Sequence, residues 1–327
     1  MYPLEELQKI INAEIVKRTD RLAGRKPAEL YAPVEYSLSV GGKRLRPVLL
    51  LLGYNIFSND VEKVLPAAIA LEVFHNFTLL HDDIMDKAYM RRNKPTAHLK
   101  FGVNNTILSG DAMVFLSYQY LFECKSPNLM KVIELFTKSA LEVCKGQQYD
   151  MDFESRMEVT EAEYLKMIKL KTAVLLGLSL KAGAWLANAP EDIAALLYDF
   201  GINLGMAFQL QDDWLDSFGD QKSFGKKIGA DILSNKKTFL LISALHKATG
   251  ETKSELDRWL NMNSFNNEEK IIAVKDIYNQ LEISRLTQNK INEYIIRAEE
   301  IVDNLMLKQT AKSKLLEFTG RISNREV

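Results

Sequence analysis

Apolar residues return along this chain at helical spacing, and no stretch alternates apolar with polar for long enough to build a sheet. Leu4, Leu7, Ile10, Ile11 and Ile15 share one face of a first helix over residues 4–18. A polar break at Gly24 to Pro27 precedes a second, shorter helix to Val40. Gly41-Gly42 then turns the chain into LRPVLLLLGYNIF, with Pro47 in the first helical turn, where its missing N–H is harmless. Asp60 is placed to cap a short turn, and Pro66 opens a long apolar helix. Another spans Asn104 to Phe122, and Ser126-Pro127 supplies the start for Asn128 to Gln148. Thr160 with Glu163 forms a capping box for a helix that continues through KLKTAVLLGLSLKAGAWLA. Pro190, Glu191 and Asp192 start one that ends near Asp216, and five more follow at 238–248, 253–263, 267–280, 283–306 and 308–318. Thr252 with Glu255 repeats the capping-box pattern. The pattern predicts an all-α bundle over residues 1–327, without linker, repeat array or low-complexity segment.

Composition agrees, because only 16 glycines and 8 prolines interrupt 327 residues. Lysine plus arginine (42) balances aspartate plus glutamate (43), which argues against a nucleic-acid binder. Cys124 and Cys144 offer neither a disulfide framework nor zinc-ligand spacing, so reduced, small buried thiols in a cytoplasmic protein are expected. Residues 1–26 mix acids and bases as no signal peptide does. The longest apolar segment, Ala173 to Ala187, is broken by Lys181 and falls short of the roughly 20 residues a membrane span needs.

The balanced charge hides two concentrations of acid. Asp82, Asp83 and Asp86 close the helix opened by Pro66, and at helical spacing Asp86 lies above Asp82 with Asp83 beside them. Like charges that close repel, and the simplest way to keep them ionised is a hard divalent cation; oxygen ligands suit Mg2+, which fills its shell with water and substrate phosphates. One DDxxD is weak evidence. A second copy, Asp212, Asp213 and Asp216 in QLQDDWLD, again ends a long apolar helix, and together they imply a shared, phosphate-rich ligand.

Cations accompany the acids. Lys43, Arg44 and Arg46 stand at a helix start, where an anion site and a merely solvated face are both open readings. Arg91, Arg92 and Lys94 follow the first cluster, Lys171 and Thr172 interrupt an apolar face, and Lys226, Lys227, Lys236 and Lys237 follow the second cluster. Glu72 and His75 form an ExxH pair, yet His81, His98 and His246 lack a glutamate three residues before them, which sets aside a di-iron bundle. His75 is left as a donor to substrate or a satisfied core histidine.

These motifs carry a resemblance. GGKRLRP, LLHDDIMD, RRNKPTAH, KT, FQLQDDWLD, FGKK and GADILSNKKT, in this order over residues 41–238, resemble the trans-polyprenyl diphosphate synthases. The resemblance implies a single-domain helical bundle of the isoprenoid synthase type with a central cavity. It implies a homodimer with bound Mg2+ that condenses isopentenyl diphosphate head to tail (1'-4) with dimethylallyl, geranyl or farnesyl diphosphate. It further implies that Asp82, Asp86 and Asp212 are the main metal ligands, with Asp83 and Asp216 supporting. By the same resemblance Arg91, Lys171, Thr172, Gln209, Lys226 and Lys236 hold the allylic substrate, and Lys43, Arg46, His75 and Arg92 hold isopentenyl diphosphate. Asn93 stands where the family commonly has glycine, and asparagine is the next best residue for a left-handed turn.

Phe77, five residues before Asp82, Phe74, eight before it, and Thr78, which leaves a gap beside them, are positioned to limit chain growth. In the family an aromatic at the fifth position with an uninserted DDxxD resembles enzymes making C20 geranylgeranyl diphosphate, with C15 farnesyl diphosphate the neighbour. A plain core aromatic is the competing reading of Phe77. Competing functions are a class I terpene cyclase, a non-catalytic subunit of a prenyl synthase, and a purely structural bundle.

Overall fold

The computed structural model describes residues 1–156, 158–219 and 228–323. The chain begins α1 (Leu4–Leu22), α2 (Ala28–Ser39) and α3 (Leu45–Asn55), then a 3-10 turn (Val61–Val64) and α4 (Leu65–Met85). A two-stranded hairpin, β1 (Met90–Arg91) and β2 (Lys94–Pro95), leads to α5 (Ala97–Phe101), α6 (Val103–Leu121) and α7 (Leu129–Ser155). Next come α8 (Glu161–Ile168), a π-helical segment (Lys169–Ala173), α9 (Val174–Leu186) and α10 (Glu191–Phe218). The last elements are α11 (Ala230–Leu233), α12 (Phe239–Lys247), α13 (Gly250–Asn261), α14 (Asn267–Gln280), α15 (Ile283–Asn304) and α16 (Gln309–Ser323).

The order of packing follows from which helices are apolar all round. Every residue of α9 from Val174 to Leu180 is buried, so this helix has no face for solvent and sits centrally. It lies against α3 on one side and α10 on another, while α10 also packs along α15, and α4 along α6. The all-α bundle expected from the sequence is thus the fold. Two helical stretches, Val61–Met85 and Glu191–Phe218, are long and apolar enough to cross a bilayer, but 61% and 56% of their apolar windows are buried inside the bundle. These are core helices, and each delivers one acid cluster.

Several boundaries differ from the sequence expectation for identifiable reasons. The Thr160–Glu163 capping box forms, with Glu163 N donating to Thr160 Oγ1 at 3.2 Å and Thr160 N to Glu163 Oε2 at 2.9 Å. The Thr252–Glu255 box does not, because α13 already starts at Gly250 after Thr249 and Thr252 lies inside it. Asp60 precedes its turn, yet its carboxylate pairs with Lys63 at 2.7 Å instead of capping. The helix expected to end at Gln148 runs on to Ser155, which brings Asp150 into the bundle. In the hairpin, Arg91 pairs with Lys94, so Arg92 and Asn93 form the two-residue turn with φ 52° and 59°. That is the left-handed pair of a type I′ turn, and Asn93 serves in it as expected.

Candidate active site

The last turn of α4 sets the first acid cluster in place. Asp82 and Asp83 belong to the helix, and Asp86 is its C-cap. Arg91 reaches back from the hairpin, its Nε donating to Asp83 Oδ1 at 2.7 Å and an Nη to Asp82 Oδ2 at 3.3 Å. From the far side Lys171 Nζ donates to Asp82 Oδ1 at 3.0 Å and to Asp150 Oδ2 at 2.6 Å. Burial alone would lower the Lys171 pKa, but Asp150 and Asp82 outweigh it and the net shift is upward. At Asp86 partial desolvation and then the Asp82 charge push the carboxyl up to about 6, against Lys171 and Lys236. Asp83 is also raised, by burial first, with Arg91 opposing.

Lys171 and Thr172 reach the site because the backbone leaves α-helical geometry between Lys169 and Ala173, and π bulges of this kind cluster at functional sites. Two glycines on neighbouring helices press on the bulge. A Cβ on Gly146 of α7 would lie 2.3 Å from Lys171 N, and one on Gly205 of α10 would lie 2.4 Å from Ala173 Cα. Gly146→Ala therefore has to move the Lys171 backbone. It is expected to lower kcat about tenfold, whereas Gly320→Ala, with open space around it, leaves kcat unchanged. Steady-state kinetics on both variants make the check; equal rates would remove the bulge from the account.

The second cluster is wired to the same bulge. Thr172 Oγ1 donates to Gln209 Oε1 at 2.8 Å, and Gln209 Nε2 donates to Asp213 Oδ1 at 2.9 Å. Tyr164 on α8 donates its hydroxyl to Asp213 Oδ2. Burial first and then Asp231 raise Asp213, against these donors and Lys236. Asp216 Oδ2 accepts from Asp231 N at 2.9 Å, which anchors the start of α11. Asp212 stands beside the buried Asp213 near the helix end and is itself half-buried. Lys236 Nζ lies 4.0 Å from Asp231 Oδ1; Asp231 raises its pKa most, and Asp150, Asp213 and Asp86 add to the effect against desolvation. Lys226 lies outside the described residues.

A basic pocket adjoins the first cluster. Arg44, the left-handed N-cap of α3, turns inward to pair with Glu72 and donates to Leu38 O at 2.9 Å. Asn76 Nδ2 donates to the same Glu72 oxygen at 3.0 Å. Arg46 points instead to His75 Nε2 at 3.1 Å, and since arginine only donates, the imidazole keeps its proton on Nδ1. Desolvation, then Arg46, Arg92, Arg91 and Arg44, hold His75 well below the usual histidine range, so it is neutral. Arg92 donates to Gly41 O, with its guanidinium over Gly42, where a Cβ would meet it at 2.6 Å. Arg46 Nε is buried without a hydrogen-bond partner among the described residues, as a group awaiting an anion would be. Lys43 is exposed at the mouth of this turn.

Below the first cluster the apolar wall is aromatic. Phe77 meets His81 edge to face (4.8 Å) above and Phe74 at a tilt (5.4 Å) below, and Phe74 meets Phe136 of α7 at 5.1 Å. Thr78 bonds back to His75 O at 2.8 Å.

The structure thus gathers Asp82, Asp83, Arg91, Lys171, Thr172, Gln209 and Lys236 around one region, with Arg46, His75 and Arg92 beside it. Asp150, Tyr164, Asp231 and the Arg44–Glu72 pair were not singled out by sequence. A family model described as polyprenyl synthetase matches residues 27–281. The chain belongs to the polyprenyl synthetase family. This polyprenyl synthetase is 40% identical over 224 residues to the geranylgeranyl diphosphate synthase of Methanosarcina mazei, covering 68% of this chain and 69% of that protein. It is 35% identical over 301 residues to that of Sulfolobus acidocaldarius, covering 91% of each. A crystal structure of a geranylgeranyl pyrophosphate synthase superimposes with a TM-score of 0.93 at 42% identity, covering 98% of each chain. The matched polyprenyl synthetase segment contains both acid clusters, the hairpin, the π bulge and Lys236.

Proposed function

We propose that the chain is a short-chain trans-prenyl diphosphate synthase that condenses isopentenyl diphosphate head to tail with an allylic diphosphate, geranylgeranyl diphosphate favoured and farnesyl diphosphate next. The observation that carries this reading is that adjacent residues of the π bulge reach both clusters: Lys171 bonds Asp82 and Asp150, while Thr172 bonds Gln209, which bonds Asp213. Cations set among opposed carboxylates suit a ligand that brings both metal ions and phosphate oxygens.

The donors fit Mg2+. They are carboxylates, hard oxygen ligands, and at Asp86 burial and the Asp82 charge outweigh Lys171 and Lys236, a balance that a divalent ion would reverse. Asp82, Asp86 and Asp212 would hold it, Asp83 and Asp216 fixing their surroundings. When bound, Mg2+ supplies Lewis-acid stabilisation of the departing diphosphate. Arg91, Lys171 and Lys236 hold that diphosphate, and Thr172 and Gln209 align the bulge beneath it. As the allylic C–O bond breaks, its electron pair leaves with the diphosphate. The isopentenyl double bond, oriented by Lys43, Arg46, Arg92 and neutral His75 at its own diphosphate, attacks the allylic carbon. The proton lost to form the new double bond goes to the released diphosphate.

Two further parts of the reading have their own support. Exposed apolar side chains on α6 and α7, including Leu108, Phe115 and Leu141, suit a homodimer face. Phe77 is the floor for the growing chain, and Phe74 lies one turn lower, about 4.5 Å along the helix. Phe77→Ser is expected to lengthen the main product by about one five-carbon unit, resolved by chromatography; an unchanged profile would reduce Phe77 to a core aromatic. The deciding assay for the function offers labelled isopentenyl diphosphate with dimethylallyl, geranyl or farnesyl diphosphate. Elongated diphosphates ending at C20 support the synthase, hydrocarbon release supports a cyclase, and no turnover supports a non-catalytic subunit.

A further inference from the structure

Lys270 is the one fully buried lysine among the described residues, 0% exposed, and the mechanism above does not use it. It sits in the first turns of α14, over the Phe265 ring at 4.1 Å. Its Nζ donates to Asn235 Oδ1 at 2.7 Å and faces Leu233 O, the end of α11, at 3.4 Å. No carboxylate among the described residues perturbs it; burial alone lowers its pKa. Burying an ammonium against neutral acceptors is costly, and an apolar residue would fill the same space at less expense.

What this ammonium holds is the residue next to Lys236. Asn235 has a left-handed backbone (φ 55°), its Nδ2 donates to Leu260 O at 3.0 Å, and its Oδ1 accepts from Lys270. Lys236 N then donates to Asp231 O at 2.9 Å, closing the arch that runs from α11 to Lys236. The Asn235 side chain therefore ties the arch to α13, and Lys270 ties it to α14 through that side chain and Leu233 O, so the direction in which Lys236 leaves the arch follows from these ties. We propose that Lys270, acting through Asn235, is a positioning residue that aims Lys236 at the allylic diphosphate. This rests on the reading that Lys236 holds that diphosphate.

The test measures binding of an unreactive thio-analogue of geranyl diphosphate, with Mg2+, by titration calorimetry to wild type, K270M, K270R, N235A and K236A. The KM for isopentenyl diphosphate and the melting temperature are recorded alongside. K270M and N235A are expected to bind the analogue about tenfold more weakly with the KM for isopentenyl diphosphate unchanged, and K270R to recover wild-type binding. A purely structural lysine would weaken both substrates together, and that result overturns the proposal. So does wild-type binding in K270M while K236A loses it, which leaves the reading of the site intact. Undiminished binding in K236A overturns both. If K270M does not fold, N235A carries the same comparison.

Discussion

Replacing either Asp82 or Asp212 with alanine is expected to lower kcat by about 10³-fold while the helical circular dichroism spectrum stays unchanged. The two sites should respond alike although they lie 130 residues apart, because each supplies one wall around the same ligand. The fold should survive the first change. Asp82 keeps 17% of its side-chain surface exposed, and in its absence Lys171 retains Asp150 and Arg91 retains Asp83. Asp83→Ala is a different case, since that carboxylate is buried against Arg91 and its loss releases the hairpin. Kinetics at saturating Mg2+ with both substrates make the comparison; a loss of tenfold or less in either variant, or a large loss in one alone, would break the link between the clusters.

The second large effect concerns stability. Arg44 and Glu72 form an ion pair whose side chains are 4% and 2% exposed. Glu72→Ala strands the guanidinium in the core, and about 3–5 kcal/mol of stability should be lost in denaturant titration. Arg44→Met with Glu72→Met removes both charges, so most of that loss should return. The doubly substituted protein should nevertheless show a raised KM for isopentenyl diphosphate, because the pair fixes the turn that presents Lys43 and Arg46 beside His75. Stability recovered without any change in KM would make the pair a fold element only. A single Glu72→Ala costing under about 1 kcal/mol would contradict its burial.

The helices were legible from apolar periodicity because nearly all of them bury one face against another helix, and Thr160–Glu163 was legible because a capping box is complete within four residues. The same four-residue pattern failed at Thr252, where the helix began earlier and the motif fell inside it. The π bulge could not be read from KLKTA, since what accompanies it is the close approach of Gly146 and Gly205, each more than twenty residues away in sequence. Asp150 was hidden among Asp152 and Glu154, and only the length of α7 and its contact with Lys171 distinguish it. Arg44 looked like its neighbours Lys43 and Arg46; its inward turn depends on Glu72, 28 residues further on. The hairpin escaped notice because two-residue strands carry no alternation, though Asn93 announced its turn.

The most direct test of a shared ligand between the acid walls replaces Mg2+ with Mn2+ and follows free Mn2+ by electron paramagnetic resonance as inorganic pyrophosphate is added. Wild-type protein is predicted to take up Mn2+ strongly only with pyrophosphate present, and Asp82→Ala and Asp212→Ala should each abolish that uptake. Pyrophosphate-dependent uptake that survives in either variant would contradict the account.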